Sequence, residues 1–174
     1  MGELWFQVLL RSTKDLPRLA ADYEAKLAKN VLASETQSVQ MNPDDPNARL
    51  RLGIALSGQG RAAEARQQFE TALRLKPDFD QPHYFLGVML RQAGRLAEAR
   101  NEFETALRLN PDNSDAHGNL GLICAGEGDA AGAESHFREA LRINPDDSRA
   151  RACLQELLQI EANSRKPNQG SASP

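Results

Sequence analysis

Apolar and small residues recur along the middle of the chain at helical spacing, and glycine or proline breaks the pattern at regular points. In residues 81–93, Leu86, Gly87 and Leu90 share one helical face, which predicts a first helix. Ala99, Phe103 and Ala106 stand at i, i+4 and i+7 with Leu107 beside them, which predicts a second, amphipathic helix. Gly94 between the two suits a backbone that turns left-handed, where only glycine is unstrained. Asn110-Pro111-Asp112 ends the second helix, because proline lacks the amide donor and clashes with the preceding turn.

This helix pair is one copy of a repeat. Phe69-Glu70-Thr71-Ala72-Leu73-Arg74-Leu75 recurs as Phe103-Glu104-Thr105-Ala106-Leu107-Arg108-Leu109, a shift of 34 residues, and more loosely as Phe137-Arg138-Glu139-Ala140-Leu141-Arg142-Ile143. Aligned this way the copies run 46–79, 80–113 and 114–147 without insertion. They share Leu52/Leu86/Leu120, Gly53/Gly87/Gly121, Gly60/Gly94/Gly128, Ala65/Ala99/Ala133, Phe69/Phe103/Phe137, Ala72/Ala106/Ala140 and Pro77/Pro111/Pro145, among others. One such pair cannot bury its own apolar face, whereas three in tandem can.

The period, the helix pairing and the Leu-Gly, Ala, Phe, Ala and Pro positions resemble the tetratricopeptide repeat (TPR) family. The resemblance implies an all-α fold: a right-handed superhelical solenoid of antiparallel helix pairs, with three TPR units between an N-terminal helical cap and a C-terminal capping helix. Two offsets depart from the family pattern. Arg49, His83 and His117 stand where the family packs an aromatic ring, and Leu56, Leu90 and Cys124 stand where it places tyrosine. We therefore expect thinner packing between units, with His83 and His117 serving inter-repeat contacts and Cys124 a small buried filler.

The flanks read as caps. Leu16, Leu19, Tyr23, Leu27 and Val31 follow helical spacing, with Asp15 as N-cap and Pro17 in the first turn. Extending the grid backwards pairs Val39, Met41 and Pro43 with Leu73, Leu75 and Pro77, so residues 12–45 read as one long helix or a degenerate helix pair within an N-terminal segment 1–45. Residues 148–160 read as the capping helix, its apolar side formed by Leu154, Leu157 and Leu158, and residues 161–174 as a disordered tail.

Composition narrows the function. The 174 residues carry 21 basic against 24 acidic side chains, a net charge of -3, which gives no electrostatic case for a nucleic-acid partner. Two cysteines without a CxxC and three dispersed histidines predict neither a disulfide framework nor a metal site. No apolar run reaches the roughly 18 residues of a membrane span, and the run Leu4–Leu10 lacks a basic segment before it and a cleavage site after it. The expected address is the cytoplasm. The glycines lie one per turn rather than clustered as a phosphate loop. Glu98 and Glu104 alternate with Arg95, Arg100 and Arg108 as a solvated, ion-paired surface. We expect no enzyme and no cofactor.

A second face of each first helix is not required by packing within its own repeat. TPR proteins use this face as a concave groove for peptide ligands, and position by position the resemblance assigns it Leu50, Ile54, Tyr84, Val88 and Leu122 as an apolar strip. Arg91 and Asn119 are the expected orienting donors. The Lys and Asn pair with which some TPR proteins grip a terminal carboxylate is replaced by Leu50 and Ile54, and the matching asparagine by Phe85. The expected partner is therefore a protein offering an amphipathic helix or an extended apolar peptide. The alternative is a self-assembling or membrane-peripheral unit acting through the N-terminal apolar segment, with a homo-oligomer formed through the N-terminal cap.

Overall fold

The computed structural model describes residues 2–164, with side chains placed over residues 17–163 apart from Leu19. The run Leu4–Leu10 therefore falls outside the described side chains, and residues 165–174 outside the described chain. Every element among the described residues is an α-helix, and the chain divides into two compact units, Met1–Pro77 and Asp78–Pro174.

Unit one holds α1 (Gly2–Met41), α2 (Pro46–Gly58) and α3 (Ala62–Leu75). Asp45 caps α2 by accepting from the Asn47 amide at 2.9 Å, and Pro46 fits the first turn, whose amides have no intrahelical partner. Gly60 then takes φ 73° and lets α3 fold back antiparallel on α2. The two helices meet through Phe69, fully buried against Gly53. The last part of α1 lies along α2: Val39 is buried, Glu35 pairs with Arg51 at 3.0 Å, and the Gln59 amide donates to the Ala28 carbonyl at 3.0 Å. Met41 is exposed, as is Leu75, the repeat position with which it aligns.

The predicted start of the N-terminal helix at Asp15 is corrected, because α1 runs through Pro17 as one element. A proline inside a helix removes one hydrogen bond and costs about 3 kcal/mol. That is too little to end a long run of strong helix formers such as Arg18, Ala20 and Ala21.

Unit two holds α4 (Asp80–Gln92), α5 (Leu96–Leu109), α6 (Ser114–Glu127), α7 (Ala130–Ile143) and α8 (Ser148–Ser164). Pairs α4/α5 and α6/α7 repeat the geometry of α2/α3, with Gly94 and Gly128 left-handed at the turns. Phe103 seats on Gly87 and Phe137 on Gly121. Phe103 also joins Ala116, Leu120 and Ile123 of the following pair in one core cluster. Phe137 clusters with Cys124 and Ala150, against which Leu154 and Leu157 of α8 pack. Cys124 is thus a buried filler. Leu158, placed on the buried side of α8 by its spacing, is exposed. The helix also continues to Ser164, so residues 161–164 belong to it and not to a disordered tail.

The ring-on-glycine contact sets the closest approach of each pair. A Cβ at Gly87 would stand 2.7 Å from the Phe103 ring, whereas one at Gly58 meets nothing within 4 Å. Gly87→Ala should therefore destabilise the protein by about 1–3 kcal/mol through overpacking. Gly58→Ala should be neutral or mildly stabilising. Urea midpoints of the two variants check this; equal midpoints would show that the ring has room to move.

Candidate functional site

Five of the seven residues expected at a binding face, Tyr84, Val88, Arg91, Asn119 and Leu122, belong to unit two. Along α4, Tyr84, Val88 and Arg91 follow at i, i+4 and i+7, which puts them on one face. The Tyr84 ring lies edge-on to Phe85 at 5.1 Å and tilted against Phe103 at 6.0 Å, and with Val88 it covers the cluster of Ala99, Phe103 and Leu120. Both side chains remain half-buried, so each has apolar surface left to offer.

The polar end of Tyr84 stands among charges. Burial is the main cause that raises its phenol above the ordinary tyrosine range, and Asp115 adds to it; Arg149, the Asn119 amide and Arg91 act in the opposite direction. Asp115 and Asn119 come from α6, Arg149 from α8 and Arg91 from the last turn of α4. Arg149 approaches Asp115 at 3.8 Å, and its guanidinium lies over Gly118, where a Cβ would meet it at 3.7 Å. Two guanidiniums and one carboxylate thus act on the same phenol.

Two polar atoms in this group are buried without a hydrogen-bond partner among the described residues: Arg91 Nε and Asn119 Oδ1. Asn119 is 1% exposed, and its amide nitrogen donates to the Asp115 carbonyl one turn earlier at 2.8 Å. One atom is a donor and the other an acceptor. Among the described residues no three His, Cys, Asp or Glu side chains are grouped to hold a metal ion.

The pattern described as Tetratricopeptide repeat matches residues 20–78, 50–102 and 84–148. The chain belongs to the tetratricopeptide repeat family. Its fold is similar to the crystal structure of MamA, at 19% identity and a TM-score of 0.65 over 85% of this chain and 84% of that one. It is likewise similar to Pseudomonas aeruginosa pilF (20% identity, TM-score 0.71, 84% of this chain and 67% of that one). A third is YrrB, described as a TPR protein with an unusual peptide-binding site (23% identity, TM-score 0.66, 74% and 66%). No curated protein matches the sequence. TPR proteins serve in general as scaffolds for protein–protein interaction and are typically non-catalytic. No helix among the described residues is long and apolar enough to cross a membrane.

Against this TPR frame, three expectations are corrected. Leu50 is 6% exposed and belongs to the core of unit one, while its neighbour Ile54 is 39% exposed. A helical wheel counts a face as free when its own pair leaves it unused, yet a TPR helix has neighbours on more than one side, and apolar residues near the edge of that face are absorbed. Asn119 is no exposed donor, since its amide is engaged and only the carbonyl oxygen is unpartnered. His83 and His117 turn Nδ1 to partners within their own repeats, Glu102 and His136, while His117 Nε2 also lies 3.3 Å from the Pro111 carbonyl of the preceding repeat. Leu122 packs with the Phe137 cluster and not with that of Tyr84. Sequence reasoning missed Arg149 as a member of the group; carrying the repeat grid one unit further places it at the offset of Asp115.

The charges around Tyr84 give a direct check. In a Tyr23→Phe background, ultraviolet titration should find the remaining phenol ionising above the ordinary value of about 10. Asp115→Asn should bring it down, because a negative neighbour opposes the phenolate. A titration unmoved by Asp115→Asn would separate the two groups.

Proposed function

We propose that this TPR protein is a non-enzymatic adaptor that holds a segment of another polypeptide on the face formed by α4 and α6 of unit two. Tyr84 and Val88 supply the apolar contact, and the half-buried Arg91 orients the segment. The observation that carries this reading is the apolar surface that Tyr84 and Val88 leave half-open on one face of α4, with Arg91 one turn further along it. Apolar surface of this kind suits an amphipathic helix or an extended apolar peptide better than a terminal carboxylate. The peptide-binding site named for YrrB agrees with such a role.

Peptides selected by display on the full chain test this. Tyr84→Ala with Val88→Ala should weaken the selected peptides at least about tenfold, or 1.4 kcal/mol, with helicity by circular dichroism unchanged. Asn119→Ala should weaken them less. Affinity untouched by the double variant would place the site elsewhere.

A second reading has its own observation. Tyr23, Leu27 and Val31 of α1 are 69%, 52% and 44% exposed and follow one another at i, i+4 and i+8. Such a stripe suits self-association through the N-terminal helix. Light scattering at two concentrations should then give a mass that rises with concentration and falls back on Tyr23→Lys with Leu27→Lys; a constant monomer mass removes this reading.

A further inference from the structure

The same two offsets are bridged by a side-chain pair in each repeat, and the chemistry differs every time. In the first repeat Arg49 Nη1 donates to Gln68 Oε1 at 3.0 Å. In the second, His83 Nδ1 lies 2.7 Å from Glu102 Oε2. In the third, His117 Nδ1 lies 3.2 Å from His136 Nδ1, so two groups of the same kind face each other.

The ring geometry says what the third pair holds. The centroids are 5.5 Å apart, which is the 3.2 Å nitrogen separation plus the two ring radii, so the rings point head to head. That arrangement suits one proton shared along the line between the nitrogens. It does not suit a metal ion, which needs two lone pairs converging on a point off that line. His117 Nε2 lies 3.3 Å from the Pro111 carbonyl, an acceptor only, so it carries the proton and Nδ1 of the neutral ring is an acceptor. His136 is then the donor through Nδ1–H. The equivalent position of the first repeat repeats this anchor, with Arg49 Nε donating to the Pro43 carbonyl at 3.0 Å.

We propose that His117 and His136 form a proton-sensitive clasp that stabilises the α6/α7 pair near neutral pH and loses that contribution on acidification. The neutral pair has two ring protons, one on His117 Nε2 and one between the two Nδ1 atoms. A further proton can enter at His136 Nε2, where it puts a positive charge on a part-buried ring that already faces Arg100.

The surroundings oppose this addition. Burial is the largest cause pushing His136 below the ordinary imidazole range, followed by His117 and by Arg100 from α5; Glu104 from α5 and Asp129 at the start of α7 act more weakly the other way. Arg100 is held in place by Glu127 of α6 and lies 3.7 Å from the Cys124 sulfur. Glu139, one turn along α7, faces His117 but is tied to Arg142 at 2.8 Å. From α8, on the other side of α7, come Cys153, Leu154 and Leu157. A histidine whose folded pKa is depressed contributes stability above its ordinary pKa of about 6.5, and that contribution is lost as the pH falls below it.

The repeat supplies its own control, since His136→Glu places opposite His117 the partner that His83 has in Glu102. Urea unfolding of the full chain at about pH 7.5 and about pH 5.5 spans the imidazole range. The wild-type midpoint should fall on acidification, and His136→Gln should remove about half of that fall or more. His136→Glu should make the fall smaller still, because a protonated His117 then gains a carboxylate. Nitrogen-detected NMR of the wild type should find His136 as the Nδ1–H tautomer at neutral pH, titrating below a free imidazole. An acid-induced fall kept in full by His136→Gln, or a His136 that titrates at or above the free value, would overturn the clasp.

Discussion

Each helix pair depends on a phenylalanine ring seated directly on a glycine of the facing helix. Phe69 on Gly53, Phe103 on Gly87 and Phe137 on Gly121 are the same contact made three times, and all three rings are essentially buried. Burying such a side chain contributes about 1.5–3 kcal/mol, but the geometric effect matters as much. Only a residue without a Cβ lets the ring reach the backbone, so glycine fixes how near the helices come. The flanking alanines, Ala65 and Ala72 in the first pair, are fully buried because at that separation nothing larger fits. The left-handed glycine at each turn then becomes necessary, since helices this close must be joined by a sharp reversal.

This explains which parts of the structure were legible in the sequence. A contact that must recur in every pair leaves a mark at a constant interval, and Gly87, Gly94, Ala99, Phe103 and Pro111 each kept the role that the spacing gave them. What occurs once left no such mark. Leu50 and Leu122 carry equally apolar side chains on the same nominal face, yet one is sealed in its core and the other half-open, because exposure depends on neighbours outside the repeat. Pro17 carried a helix-start signal that was locally sound but weaker than the helix around it. Arg149 escaped notice because the cap was read for its apolar side, whereas its contribution to the candidate site is a charge.

With the ring contact supplying cohesion, other offsets are free to vary. The pair that bridges the two helices of a repeat is guanidinium with amide, then imidazole with carboxylate, then imidazole with imidazole. These pairs are part-buried and set apart from the phenylalanine clusters, so exchanging one for another changes the charge of a repeat without changing its shape. Individual repeats thereby acquire different responses to their surroundings while remaining one fold.

The same division bears on where polar strain accumulates. The side chains of a regular core of phenylalanine, leucine and alanine carry no donors or acceptors to satisfy, so its packing leaves no side-chain polar atom without a partner. In unit two such atoms gather beside Tyr84, where Asn119 is almost completely enclosed and Arg91 half-buried. Replacing Asn119 by leucine would suit the adjacent cluster better if burial were the sole requirement, since an apolar side chain leaves no acceptor without a partner. An asparagine in that place sacrifices stability, because its carbonyl oxygen is enclosed without a partner. Regular packing makes that sacrifice tolerable, because the loss is confined to one face while each ring-on-glycine contact stays intact.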